Sequence, residues 1–216
     1  MAEPPKVVPI SIRRLRRTEL PVDTVSLARF LIGKVVVREL PTGRVVGRIV
    51  ETEAYPRRDP AAHHFRGLTP RNRAMFLPRG HAYVYFSYGN HFMLNVSAEV
   101  AGVGGGVLIR ALEPLEGIDW MEQRRGTTRR VDLARGPGRL ASALNIDRSL
   151  DGVDLCAAGP LWLGIQLRPR LESGAARPAV LVAKSPRIGI TRAAHRLLRF
   201  YERGSPFVSG PPRLRR

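Results

Sequence analysis

Residues 81–97 constrain the fold more than any other stretch. They read as two runs of β-branched and aromatic residues, 81–88 and 91–97, separated by Gly89-Asn90. A Gly-Asn pair suits a tight primed turn, whose twist matches two antiparallel strands. The segment therefore predicts a β-hairpin, with Tyr83 and Tyr85 on one face and Val84, Phe86 and Tyr88 on the other. A second hairpin signal runs from 34–40 through Pro41-Thr42-Gly43 into 44–55. There the period of two places Ile49, Glu51, Glu53 and Tyr55 on one face. A further strand is expected at 107–112, after the glycine-rich run 102–106. Helices are expected at 23–31, with Asp23 as N-cap and Gly33 as the stop, at 115–123 and at 137–144. A helical or loop segment at 192–198 precedes Phe200-Tyr201. Strands and helices mix without a regular βαβ alternation, which predicts an α+β fold with a mainly antiparallel sheet.

Charge narrows the partner. In 216 residues, 36 Lys plus Arg face 18 Asp plus Glu, a net charge of +18. Such an excess points to nucleic acid, an anionic membrane or a polyanionic assembly. No apolar run is long enough to span a membrane, and the N-terminal apolar stretch is broken by Pro9 and followed by arginines. Cys156 is the sole cysteine, so neither a disulfide framework nor a cysteine zinc cluster is available within one chain. A cytoplasmic location is expected, nucleoid-associated if the source is bacterial.

Several residues could carry chemistry. Glu53 stands where a strand hands over to the loop 56–69, and a held carboxylate there could orient a water. Pairing of Glu51 and Glu53 with surface arginines is the competing reading, and the spacing leaves both open. His63, His64, His81, His91 and Asp59 match no zinc spacing, so no metal is expected. A neutral histidine offering a hydrogen bond beside a substrate fits His63 better. Tyr88 abuts the hairpin turn, where burial within its own domain is hard. It serves either in packing or as a wedge between base pairs. Arg71, Arg73 and Arg79 flank the hairpin and could hold phosphates. The glycine run 102–106 lacks a phosphate-loop pattern and reads as a place of close backbone approach.

Together these motifs resemble the alkyladenine (3-methyladenine) DNA glycosylases of the mammalian type, over roughly residues 19–209. The likeness runs through Leu27-Ala28-Arg29-Phe30-Leu31, Gly47-Arg48-Ile49-Val50-Glu51-Thr52-Glu53-Ala54-Tyr55, Ala61-Ala62-His63 and Thr69-Pro70-Arg71-Asn72-Arg73. It continues through Tyr83-Val84-Tyr85, Tyr88-Gly89, Asn95, Leu108, Arg110-Ala111-Leu112-Glu113-Pro114 and Arg199-Phe200-Tyr201. The resemblance implies an enzyme that flips a damaged purine from duplex DNA and hydrolyses its N-glycosidic bond. Glu53 would activate water, aided by Arg110 and the backbone near Ile188. Tyr55, His63 and Tyr85 would sandwich the base, Asn95 would exclude normal guanine, and Leu108 would pack beside the pocket. Tyr88 would fill the vacated stack.

The lysines Lys6, Lys34 and Lys184 lie in no matching motif, so a water-using, monofunctional enzyme without cofactor is expected. Asn90, Pro56 and Arg57 depart from the mammalian pattern and bear on substrate range. The expected molecule is a monomer acting on double-stranded DNA. It has one α+β domain over 18–210 and basic tails at 1–17 and 211–216. Its sheet is open and barrel-like, flanked by helices, with a protruding hairpin. A non-catalytic nucleic-acid binder is the alternative that charge alone would allow.

Overall fold

The computed structural model describes residues 10–87, 89, 91–167 and 179–211. In chain order the strands and helices are β1 (Ile12–Arg14), α1 (Thr24–Leu31), β2 (Val35–Leu40), β3 (Gly43–Tyr55), β4 (Ala82–Ser87) and β5 (His91–Ser97). There follow β6 (Gly106–Glu116), α2 (Ile118–Arg125), α3 (Arg130–Leu133), α4 (Pro137–Ala143), β7 (Leu161–Gln166), β8 (Val182–Ser185) and β9 (Arg199–Glu202). The nine described strands make one open sheet in the order β1-β7-β2-β3-β6-β5-β4, with β9 between β3 and β8. Each described strand pairing is antiparallel. With its helices outside the strand run, the fold is α+β.

The helix α1 forms where the cap chemistry allows it. Asp23 accepts from the backbone N–H groups of Val25 and Ser26 at 3.0 and 2.9 Å, which satisfies two of the helix's orphan donors. Leu27, Ala28 and Leu31 share its buried side and join the main core with Ile49, Val107, Ile109 and Leu112.

Strand β3 holds the sheet together. β6 runs along one of its edges from Val46 to Tyr55. On the other edge β2 pairs as far as Arg48, and β9 takes over from Glu51 to Glu53. Register shifts fall between Ile49 and Glu51 and between Glu51 and Thr52, the mark of a β-bulge. The bulge corrects the expected alternation. Ile49 belongs to the core facing α1, and the next side chain anchored there is Thr52, whose hydroxyl donates to the Ala28 carbonyl at 2.9 Å. Glu51, Glu53 and Tyr55 turn to the other side, away from Ile49.

Three expectations differ from the structure. The described part of the supposed basic tail, residues 10–17, contributes β1, which pairs with β7, and Leu15 is fully buried. Burying Leu15 against the sheet outweighs the solvation that its arginine neighbours favour. The strand expected at 107–112 runs on to Glu116, because β3 pairs with it back to Val46. The helix expected from 115 therefore starts at Ile118, after Gly117 turns the chain at φ +73°. Segment 192–198, expected as helix or loop, is a loop of turns that leads into the buried Leu198.

Candidate active site

The β-ladders bring distant residues into one row. Glu53 on β3 stands opposite Leu108 on β6, Leu108 opposite Asn95 on β5, and Asn95 opposite Tyr83 on β4. A cavity of about 220 Å³ opens beside the row. Its wall includes Tyr55, His63, Tyr85, Asn95, Leu108 and Ile188, six residues singled out from the sequence. Arg110 and Arg71 also line it.

Glu53 is fully buried, and three donors converge on its carboxylate. The Ile188 N–H donates to Oε1 at 2.7 Å, and Arg110 Nη1 lies 3.2 Å from the same oxygen. The Tyr55 hydroxyl donates to Oε2 at 2.9 Å. Burial and the adjacent Glu53 charge push the Tyr55 phenol well above its ordinary range, so it keeps its proton.

Arg110 is itself held from behind. Its Nε donates to Glu51 Oε1 at 2.9 Å. Glu51 has no exposed surface and gathers Arg199 Nε at 2.6 Å, the Ser209 N–H at 2.6 Å and the Ser209 hydroxyl at 3.0 Å. Burial alone would raise its pKa, but the charges of Arg110 and Arg199 hold it below the usual carboxylate range. Burial likewise lowers the pKa of Arg110, and Glu53 and Glu51 more than offset that. The surface ion pairs that competed as an account of these glutamates are thus buried ones.

The aromatic side of the cavity is built by the hairpin and loop 56–69. The rings of His63 and Tyr85 meet edge to face at 4.5 Å, and the Tyr83 hydroxyl lies 2.9 Å from His63 Nδ1. Burial, then the Arg71 and His64 charges, lowers the His63 pKa, which keeps the ring neutral at physiological pH. Burial pushes Tyr83 up to about 12. Asn95 is buried and donates from Nδ2 to the Tyr83 carbonyl at 3.2 Å.

Loop 56–69 packs on the glycine run. A Cβ at Gly104 would stand 2.8 Å from His64 Cβ and 2.9 Å from Phe76. Gly104→Ala is therefore expected to destabilise the protein by about 1–3 kcal/mol through overpacking; denaturant unfolding measures it, and an unchanged midpoint would contradict the close packing.

Other expected site residues fall elsewhere. Arg73 is exposed away from the cavity that Arg71 lines, whereas Arg79 Nε donates to the Leu20 carbonyl at 2.9 Å. Tyr88 and Asn90 lie outside the described residues; the last described pair of their hairpin is Ser87 with His91. His81 Nδ1 is within 2.7 Å of the Pro78 carbonyl and His64 Nε2 within 3.2 Å of the Pro56 carbonyl, so neither shares a site with His63. Among the described residues, no three His, Cys, Asp or Glu gather as metal ligands, and no helix is long and apolar enough to cross a membrane.

Ser209, a donor to Glu51, escaped the sequence reading, and so did Arg187. Arg187 has no exposed side-chain surface and pairs with Asp59 at 2.8 Å. Its guanidinium stands 4.6 Å from the centre of the Tyr55 ring. Nothing in its local sequence sets it apart in so arginine-rich a chain.

Known proteins are similar to this chain along most of its length. The sequence model of the methylpurine-DNA glycosylases matches residues 18–206. A protein of Mesorhizobium japonicum is 64% identical over 197 residues, covering 91% of this chain and 90% of the relative. One of Paraburkholderia phytofirmans is 52% identical over 205 residues, covering 95% and 92%. One of Methanoculleus marisnigri is 50% identical over 188 residues, covering 87% and 94%. All three carry the name "Putative 3-methyladenine DNA glycosylase". Matches of this extent and identity show that the chain belongs to the methylpurine-DNA glycosylase family and is a DNA N-glycosylase.

Proposed function

We propose that the protein excises an alkylated or deaminated purine from duplex DNA, with Glu53 activating the water that replaces the base and an abasic site left behind. The observation that carries this reading is the environment of Glu53. A fully buried carboxylate receives donors from Ile188, Arg110 and Tyr55, and all three of those residues line an aromatic cavity. A carboxylate offers about four acceptor positions, so these three contacts leave room for about one more donor, a water. Glycosidic cleavage builds positive charge on the sugar, and a fixed anion beside it stabilises that charge while orienting the water.

The base has to leave the stack to reach such a cavity, at a cost of a few kcal/mol that is lowest for damaged or mispaired nucleotides. In this reading Tyr55 stacks on one face of the base and His63 with Tyr85 on the other. Asn95 and Leu108 bound the cavity edge where an exocyclic group of a normal purine would be crowded. Tyr88 is assigned to the gap left in the duplex, beside Asn90, and Arg71 and Arg73 to phosphates. The net charge of +18 supplies the sequence-independent attraction to DNA.

Water, not an amine, is the assigned nucleophile. Lys34 packs its ammonium 4.5 Å from the Phe30 ring centre, and neither Lys34 nor Lys184 lines the cavity. No cofactor has a part in this scheme. The test is release of free base from duplexes carrying hypoxanthine, ethenoadenine or 3-methyladenine. Release from at least one of them, without a borohydride-trapped adduct and undiminished by a chelator, is the expected result. A folded protein that binds all three equally and releases nothing would be a nucleic-acid binder instead.

A further inference from the structure

Arg187 has no part in the chemistry above, yet it stands next to it with no exposed side-chain surface. Its Nη1 donates to the Ala54 carbonyl at 3.0 Å and its Nη2 to Asp59 Oδ1 at 3.1 Å. Asp59 in turn accepts from the Ala61 N–H at 2.9 Å. Tyr55 lines the cavity and Arg187 does not, so the guanidinium covers the ring face turned away from the cavity. A buried ion pair is a poor device for stability, since apolar residues of the same volume often serve as well or better. Its geometry points to another use.

We propose that Arg187, braced by Asp59, is a positioning residue that acts through Tyr55. This rests on the glycosylase reading. The planar guanidinium lies over the ring and fixes it on one side, leaving the other free for a base. The same ring carries the hydroxyl that donates to Glu53 Oε2. Fixing one side chain thereby sets both the stacking wall and a donor on the carboxylate. A flipped base that settles on Tyr55 meets a ring already aligned, and the contact with Glu53 survives the arrival of the base.

The test compares two DNAs. One carries whichever of hypoxanthine, ethenoadenine or 3-methyladenine the wild-type protein releases fastest. The other carries a stable abasic-site analogue, which offers no base to stack on Tyr55. Arg187→Lys keeps a cation for Asp59 but lacks the flat plate. It is expected to fold normally, to slow single-turnover base release about tenfold and to weaken binding of lesion DNA, with affinity for abasic DNA within about twofold of wild type.

A second variant, Arg187→Met with Asp59→Asn, removes the pair without stranding a buried charge, since Arg196, the other partner of Asp59, is exposed, and is expected to show the same split. Equal losses on both DNAs, or unchanged release, would overturn the proposal in favour of a purely structural ion pair. Absence of release by the wild-type protein is a different failure, because it removes the glycosylase reading and this inference with it.

Discussion

Glu53→Gln binds damaged duplex DNA with nearly wild-type affinity and releases base roughly 10²–10⁴-fold more slowly, the span expected for loss of a positioned general base. The substitution is close to isosteric. Its amide oxygen still accepts from the Ile188 N–H and Arg110, which meet Oε1 in the native protein. Its amide nitrogen replaces Oε2 and can donate to the Tyr55 oxygen, which reverses that hydrogen bond. Arg110 keeps Glu51 as its counter-charge, so the variant is expected to stay folded, which its denaturant midpoint checks. Single-turnover base release and equilibrium binding, measured on one preparation, separate the two effects. Retained turnover would remove Glu53 from its assigned role and leave Arg110 with a carboxylate partner of structural value only.

The largest loss of stability is expected at Glu51. Arg110 and Arg199 both point their Nε at its Oε1, and both lie in the interior. Glu51→Gln leaves two buried cations with no formal counter-charge except Glu53. Breaking a buried pair from one side costs roughly 3–5 kcal/mol, a large share of the about 5–15 kcal/mol that holds a typical domain folded. Denaturant unfolding should show it, and a loss below about 1 kcal/mol would contradict the picture of Glu51 as the anchor of both arginines.

The same residue predicts a pH response. Its folded-state pKa lies below the ordinary carboxylate value. A depressed carboxylate stabilises the fold above its unfolded pKa, and that contribution drains away as pH falls towards the lower folded value. Wild-type stability should therefore drop below about pH 4, and Glu51→Gln should lack that share of the acid dependence.

Local features of the chain were legible in the sequence. The β2–β3 and β4–β5 hairpins were readable because a turn and two patterned strands are neighbours along the chain. Asp23 marked the start of α1 for the same reason, through a cap two and three residues away. The bulge in β3 was not readable. No residue type announces it, and it arises where β2 gives way to β9, a strand some 150 residues on. The burial of Leu15 was hidden by the arginines around it, since composition reports the average of a segment and not the one side chain that anchors it.

Legibility of the site followed the same line. Glu53 and Tyr55 stood out as neighbours on one strand, and the resemblance supplied partners such as Arg110, Asn95 and Ile188 that spacing alone could not. Arg187 and Ser209 stayed hidden, because their meaning depends wholly on what they meet in space. The reading of Glu51 and Glu53 as surface ion pairs had the right partners in kind and the wrong medium, for charge pattern carries no information about depth.

The fork at β3 also bears on synthesis. The carboxylates of Glu51 and Glu53 leave the ribosome early, with Tyr55 and Arg110 not far behind, but their last donors arrive 135 residues later with Ile188 and 158 residues later with Ser209. On the proposed mechanism, a product that stops short of residue 188 lacks both the Ile188 N–H and the strand β9 that flanks Glu53, and is expected to release no base.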